Sequence, residues 1–295
     1  MLKFMSRTAV CLYGELRGIK SCIPSLYENI IDLWDSDVFL CFNLYKKSEY
    51  DEINQIYKKV IISNIYEKED VYTRFPKTFY EKYVPYMQQV LKQSNKWGCN
   101  IIGPILGSHA NLLIRLNLYN LSKILINYVD KYDYFIITRP DHLYKFPIFD
   151  KSFLNKDFII KYNVHNFGGF NADFLIIPNH QVIDWLTSGY DFFTNDDLQD
   201  YMIEELKKLS PYLHISECFT NIIVKYKKYK IKEMSINSFI SSDDINSSRS
   251  DIPFKWCDKR NVMWKHEEQF NETYKNFELW TKGHIWKYND KNIYL

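Results

Sequence analysis

Glycine and proline are both scarce, with nine of each in 295 residues. Glycine provides positive-φ turns and lets backbone approach phosphate closely, so this scarcity disfavours a P-loop or any other glycine-rich phosphate cradle. Arginine is scarce as well: Arg7, Arg17, Arg74, Arg115, Arg139, Arg249 and Arg260 are the only ones among 38 basic residues. Its planar fork grips carboxylate or phosphate through two hydrogen bonds, so each position carries information. Neither sign of charge dominates, with 38 basic against 36 acidic residues and a net charge of +2. That balance excludes nucleic acid as the default partner, because backbone binding needs concentrated Lys and Arg. The six cysteines (Cys11, Cys22, Cys41, Cys99, Cys218, Cys257) form no C-x-x-C pair and no tight spacing with His, which speaks against a zinc ribbon or disulfide framework. Cys11 and Cys41 fall in apolar runs and read as buried free thiols. No apolar run reaches the roughly 18 residues of a membrane span, and Met1 to Arg7 lacks the apolar stretch of a secretory leader. The expectation is a soluble chain in a reducing cytoplasm.

Aromatic residues are abundant: Tyr 24, Phe 20 and Trp 7 make up 17% of the chain. Most read as core. Any on the surface suit carbohydrate, whose apolar ring faces stack on aromatic rings. The length fits one α/β domain.

Thr8 to Tyr13 is a short apolar run stopped by Gly14, read as a buried strand and a turn. Ser21 to Trp34 places Ile23, Leu26, Ile30, Ile31 and Trp34 at helical spacing. Asp37 to Phe42 is a second strand, Glu49 to Lys59 a weak helix and Val60 to Ile62 a third strand. Strands alternating with helices indicate a parallel sheet with crossover connections. Phe75 to Ser94 reads as a helix. So does Ser108 to Val129, with Leu112, Leu116, Tyr119, Ile126 and Val129 on one face. A fourth strand, Tyr132 to Thr138, ends at Arg139-Pro140-Asp141. Further strands are expected at Phe158 to Lys161, Ala172 to Ile177 and Lys230 to Met234. Further helices are expected at Gln181 to Ser188, Asp196 to Leu209 and Ser216 to Tyr226. Ser235 to Asp251 is rich in Ser, Asp and Asn and reads as a long loop or lid. After it, Trp256, Trp264, Trp280 and Trp286 mark a tail that packs back on the body.

Two constellations bear chemistry on their own. Gly14-Glu15-Leu16-Arg17 lies at the carboxyl end of the first strand, the edge where ligands bind in open α/β sheets. Arg17 there reaches a diphosphate, or is simply an exposed Arg in a strand-to-helix turn. Arg139-Pro140-Asp141 delivers a cation and a carboxylate to the same edge, with Pro140 biasing Arg139 toward extended backbone. Asp141 could hold a divalent metal that bridges nucleotide phosphates, or Arg139 and Asp141 could be a surface pair capping the strand.

Together these residues, with Asp37-Val38-Phe39 between them, resemble GT-A-like nucleotide-sugar glycosyltransferases of the surface-polysaccharide type found in bacteria and large DNA viruses. The resemblance spans roughly Thr8 to Ile231 and is one of pattern. It implies a GT-A-like (Rossmann-like) α/β fold with a mixed, mostly parallel sheet flanked by helices. The single domain would span 1–295, with a nucleotide-binding half at about 7–145 and an acceptor half at about 146–295. Where such enzymes carry Asp-x-Asp this chain has Arg139-Pro140-Asp141, so only Asp141 matches and Arg139 supplies cationic charge itself. The resemblance further implies a donor-binding set of Gly14, Glu15, Arg17, Arg139, Asp141 and Asn171. Asp141 holds a divalent metal, Mn²⁺ or Mg²⁺, or the ribose-phosphate. Asn171 and Asp173, in the segment Asn166 to Ile177, face the donor sugar; the plainer reading makes Asn171 a turn residue. Asp173 or Glu217 is the catalytic base; the plainer reading of Glu217 is a first-turn carboxylate after N-cap Ser216. His266 and His284 are candidates for a late metal or diphosphate ligand; the plainer reading is a packed or surface His beside Trp. The implied activity is hexosyl or pentosyl transfer from a nucleotide sugar, expected to be a UDP-sugar, to a glycan hydroxyl in surface-glycan synthesis. A sugar-phosphate transferase of the same broad fold, or a non-catalytic carbohydrate binder, is the alternative. The partners are a nucleotide sugar and a glycan acceptor, with no nucleic acid and no transmembrane segment.

Overall fold

The structure is a computed structural model that describes residues 6–15, 19–44, 51, 53, 57, 60–67, 74–93, 110–149, 151–163, 169–210, 216–242, 255–256, 263–264 and 267–282. Among the described residues seven strands form the central sheet: β1 (Thr8–Glu15), β2 (Asp37–Leu44), β3 (Val60–Glu67), β4 (Tyr134–Thr138), β6 (Ile159–Tyr162), β7 (Phe174–Pro178) and β8 (Ile231–Met234). Their order is β3-β2-β1-β4-β7-β6-β8. β7 lies antiparallel to both its neighbours, β4 and β6, whereas the remaining pairings are parallel. The start of β7 therefore lies at the same edge as the end of β4, with Thr138 opposite Phe174.

Both faces of the sheet are covered, and this is why its central strands are apolar without alternation. Val10 and Leu12 point into one core with Ile23, Leu26, Ile30 and Trp34, while Ala9, Cys11 and Tyr13 point into the other with Leu118, Leu121, Leu125, Val182 and Trp185. The first layer is α1 (Ile19–Leu26), which continues through a widened π turn at Tyr27–Ile31 to Asp32–Trp34. The other face is covered by α3 (Ala110–Leu125) and α4 (Asn179–Thr194). A third core gathers α2 (Lys77–Gln93), α4, α5 (Asp196–Lys207) and α6 (Ser216–Lys227) around Phe79, Tyr83, Phe192, Phe193 and Phe219. Phe193 stacks on Phe219 with ring centroids 4.7 Å apart and meets Phe79 edge-on at 5.1 Å. Much of the aromatic excess is spent in this interior.

A smaller sheet, ordered β10-β11-β9-β5, joins β5 (His142–Tyr144), β9 (Ser238–Ser242), β10 (Lys255–Trp256) and β11 (Met263–Trp264). It corrects the expected loop at Ser235 to Asp251, because Ser238–Ser242 is strand, with Ser238 to Ser241 buried, and 243–251 lie outside the described residues. Ile236, Phe239 and Ile240 supply apolar surface, and several of the buried polar groups find partners. Asn237 Nδ2 donates to the Phe146 carbonyl at 2.9 Å, and Ser238 Oγ lies 2.9 Å from His142 Nδ1. The C-terminal helix α7 (Glu267–Thr281) docks here, where Thr273 Oγ1 donates to the Ser238 carbonyl and Asn276 Nδ2 to that of Ile236. Trp256 and Trp264 stand on strands of this sheet, and Trp286 lies outside the described residues.

Two further expectations are corrected. Gly14 stands inside β1, at φ 110°, instead of following it. The long helix stops at Leu125, so Ile126 is 58% exposed and does not share its apolar face.

Cys11, Cys22, Cys41 and Cys218 are buried free thiols. Burial pushes Cys11 and Cys41 up, and takes Cys218 to about 11 with a smaller contribution from Glu217. The thiolate is the reactive form. Iodoacetamide at neutral pH should therefore leave these four unmodified in native protein and modify them after denaturation, as read by peptide mass mapping. Labelling of Cys11 or Cys41 in the native state would contradict the packing.

Candidate active site

The site is assembled at the edge shared by the ends of β1 and β4 and the start of β7. Thr138 closes β4, and its Oγ1 donates to the Asp173 carbonyl at 3.2 Å and lies 3.0 Å from the Tyr144 hydroxyl. Three residues, Arg139 to Asp141, then lead into β5. That strand is held from both sides: the Ser241 amide donates to the Asp141 carbonyl at 2.8 Å, and the Tyr144 amide donates to Ser25 Oγ at 2.9 Å. Asn29, in the π turn, donates to the Tyr144 carbonyl at 3.1 Å. The turn that carries Arg139 and Asp141 is thus pinned by α1 and β9.

Arg139 uses all three of its nitrogens. Nε and Nη2 donate to the two oxygens of Asp141 at 2.9 and 2.8 Å, and Nη1 reaches Asp173 Oδ1 at 3.3 Å. The Asp141 side chain is only 4% exposed, against 23% for Arg139 and 26% for Asp173. The pair is therefore a buried one and not a surface cap. Burial works against the Arg139 charge, but the two carboxylates outweigh it and hold the guanidinium well above its usual range.

Asp173 reaches this position through a turn that Asn171 builds. Asn171 Oδ1 accepts from the Asp173 amide at 2.9 Å, an Asx turn, as the plainer reading of that residue had it. The same segment rests on the start of α6. Phe170 donates its amide to the Glu217 carbonyl at 2.8 Å, and a Cβ on Gly169 would lie 2.2 Å from the Glu217 carbonyl carbon. Glu217 sits in the first turn of α6, as expected from Ser216-Glu217.

Three residues at this edge went unread in the sequence. Tyr13, 4% exposed, is pushed up by burial and feels the charges of Asp173, Arg139, Arg115 and Asp141. Arg115, 5% exposed, lies over the Phe219 ring at 5.1 Å and donates to Thr220 Oγ1 at 2.6 Å. Burial pulls its guanidinium down to about 10, with Tyr13 and Glu217 opposing. A rare arginine between Leu112 and Leu116 on a leucine-rich helix was the available signal. His142 is 1% exposed, lowered by burial, and its Nε2 has no hydrogen-bond partner.

Arg139, Asp141, Asn171, Asp173, Gly14 and Glu217 thus come from one edge of the sheet and the helix beside it. The side chain of Glu15 is outside the described residues, as are Arg17, Asn166, His266 and His284. Among the described residues no three His, Cys, Asp or Glu side chains gather to hold a metal ion. Asp141, the expected ligand, has both oxygens on Arg139. As folded, it is an arginine partner and does not fit an open metal ligand, which needs accessible oxygens.

No protein-family model matches the chain, and no curated protein matches it. Among solved structures it is similar to mouse xyloside xylosyltransferase 1 in its apo form, with TM-score 0.43, 11% identity, and 76% of this chain and 84% of that chain covered. It is also similar to core-mannan synthase A from Aspergillus fumigatus in its Mn/GDP form, with TM-score 0.43, 12% identity, and 90% of this chain and 82% of that chain covered.

The contact of Gly169 with α6 is backbone against backbone and cannot be relieved by a rotamer change. Gly169→Ala should lower stability by about 1–3 kcal/mol, measured by urea denaturation. An unchanged midpoint would mean that the 169–173 segment does not rest on α6.

Proposed function

We infer that the protein is a glycosyltransferase, moving a sugar from a nucleotide-sugar donor, a UDP-sugar in our reading, to a hydroxyl of a glycan in surface-glycan synthesis. The observation that supports this most is the juxtaposition of Arg139, Asp141 and Asp173 at the carboxyl edge of β1 and β4, where open α/β sheets bind nucleotides. The Arg-Pro-Asp resemblance to GT-A-like enzymes points the same way.

In this reading the donor's diphosphate lies against Arg139, with Arg17, which follows β1 in sequence, as its second cation. Positive charge placed where the leaving diphosphate develops negative charge lowers the barrier to departure. Positioning of acceptor against donor supplies much of the remainder. Asp173, beside Arg139 and 26% exposed, takes the proton from the acceptor hydroxyl. Asn171 sets the turn that aims it. Glu217, on α6, borders the acceptor side and is the second candidate for that base. Tyr13 forms part of the floor beneath the donor. The enzyme works as a single domain.

A panel of nucleotide sugars assayed for slow hydrolysis, with and without Mn²⁺, identifies the donor without knowledge of the acceptor. Release of a nucleoside diphosphate is the expected result; release of a nucleoside monophosphate would indicate sugar-phosphate transfer instead. Asp173→Asn should lower kcat for transfer by about 10²–10⁴-fold while donor binding persists, and Glu217→Gln should cost less. A full loss in Glu217→Gln with normal turnover in Asp173→Asn would exchange their roles. No turnover of any nucleotide sugar, together with a thermal shift on glycans alone, would make the protein a binder.

A further inference from the structure

We propose that Arg139 takes the place a divalent metal would hold beside the donor, anchored by Asp141, and that its Nη1 passes from Asp173 to the diphosphate when the donor arrives. This rests on the nucleotide-sugar reading and adds to it that the arginine works without a metal beside it and how the base is released.

The two contacts of the guanidinium differ in kind. Toward Asp141 it makes two short bonds, 2.9 and 2.8 Å, to a carboxylate 4% exposed. Toward Asp173 it makes a single longer one, 3.3 Å, to a carboxylate 26% exposed. Removing Arg139 from Asp141 would leave a buried carboxylate without its charge partner, the costly way to break such a pair. Letting go of Asp173 only returns a half-buried carboxylate toward water. One end of the fork is fixed and the other is exchangeable.

A diphosphate oxygen competes for the exchangeable end, because Arg forks bind phosphate as they bind carboxylate. The guanidinium stays paired throughout, and one anion replaces another. Asp173 then loses the cation that stabilises its ionised form, so it becomes a better proton acceptor once the donor is seated. Donor binding and base activation are coupled by one side chain. A hard divalent cation has no such opening, since the Asp141 oxygens are already taken and an ion such as Mg²⁺ also requires room for several of its own waters. Among the described residues His142 Nε2 is the one buried side-chain nitrogen without a partner, and it is enclosed in a residue 1% exposed.

The test is calorimetric titration of the full chain with UDP, GDP, CDP, dTDP and ADP, in EDTA and in excess Mn²⁺, alongside Mn²⁺ binding followed by electron paramagnetic resonance. At least one nucleoside diphosphate should bind with the same Kd in both buffers, and Mn²⁺ should show no bound signal. Arg139→Met should weaken that diphosphate by about 10–100-fold and leave the affinity for the corresponding nucleoside unchanged. Arg139→Lys, which keeps the charge and loses the fork, should fall between the two and serves if the Met variant does not fold. Binding that requires Mn²⁺, with Mn²⁺ binding lost in Asp141→Asn, would overturn the proposal and leave the nucleotide-sugar reading standing. Metal-free binding that neither Arg139 variant alters would overturn it as well. No binding of any nucleotide in either buffer would remove the nucleotide-sugar reading, and the proposal with it.

Discussion

Thr138 and Phe174 stand opposite each other where β4 and β7 run antiparallel, and the chemistry of the sheet edge depends on that pairing. In a fully parallel sheet the start of β7 would lie at the far end of the molecule from the end of β4. Reversal of this one strand brings residues 139 and 173 within hydrogen-bond reach. The carbonyl of Asp173 is held by the Thr138 hydroxyl, so the backbone that carries one carboxylate is fixed to the strand that delivers the arginine. The remaining parts of the site are supports for this meeting: α1 and β9 steady the turn on one side, and the start of α6 carries the 169–173 segment on the other.

A chain of buried hydrogen bonds runs along the smaller sheet. Ser238 Oγ lies against His142 Nδ1 and donates to the Tyr162 hydroxyl at 3.3 Å, and Tyr162 in turn bonds Asn237. These linked hydrogen bonds rigidify the core around them, although His142 Nε2 stays outside the network. They also tie α7, which grips the Ser238 and Ile236 carbonyls, to the strand that begins with His142. The C-terminal helix is therefore a structural support of the site, although it is remote in sequence.

The central strands were legible because they are buried on both sides, which writes them as continuous apolar runs such as Ala9 to Leu12 and Phe135 to Ile137. β5 and β9 were not legible. His142-Leu143-Tyr144 is too short to show a period, and a Ser-rich strand resembles a loop until the partners of its hydroxyls are known. The site divides in the same way. Arg139 and Asp141 stood out because an apolar strand ended abruptly in charge, but their joining to Asp173 depends on an antiparallel register that no local pattern encodes. Arg115 was hidden for the opposite reason: on a helix read by its leucines, one arginine looks like an exception at the surface, yet it is buried against Phe219.

The bed in which Arg115 lies is made by Gly189, where an added Cβ would sit 2.4 Å from the arginine Cδ. The missing side chain on α4 is the space that the long one on α3 occupies. Positions 115 and 189 are thus a single volume divided between two helices, and substitutions at the two will not be energetically independent. In any descendant of this chain they would be expected to drift as a pair: a side chain gained at 189 is tolerated only where the one at 115 has shortened.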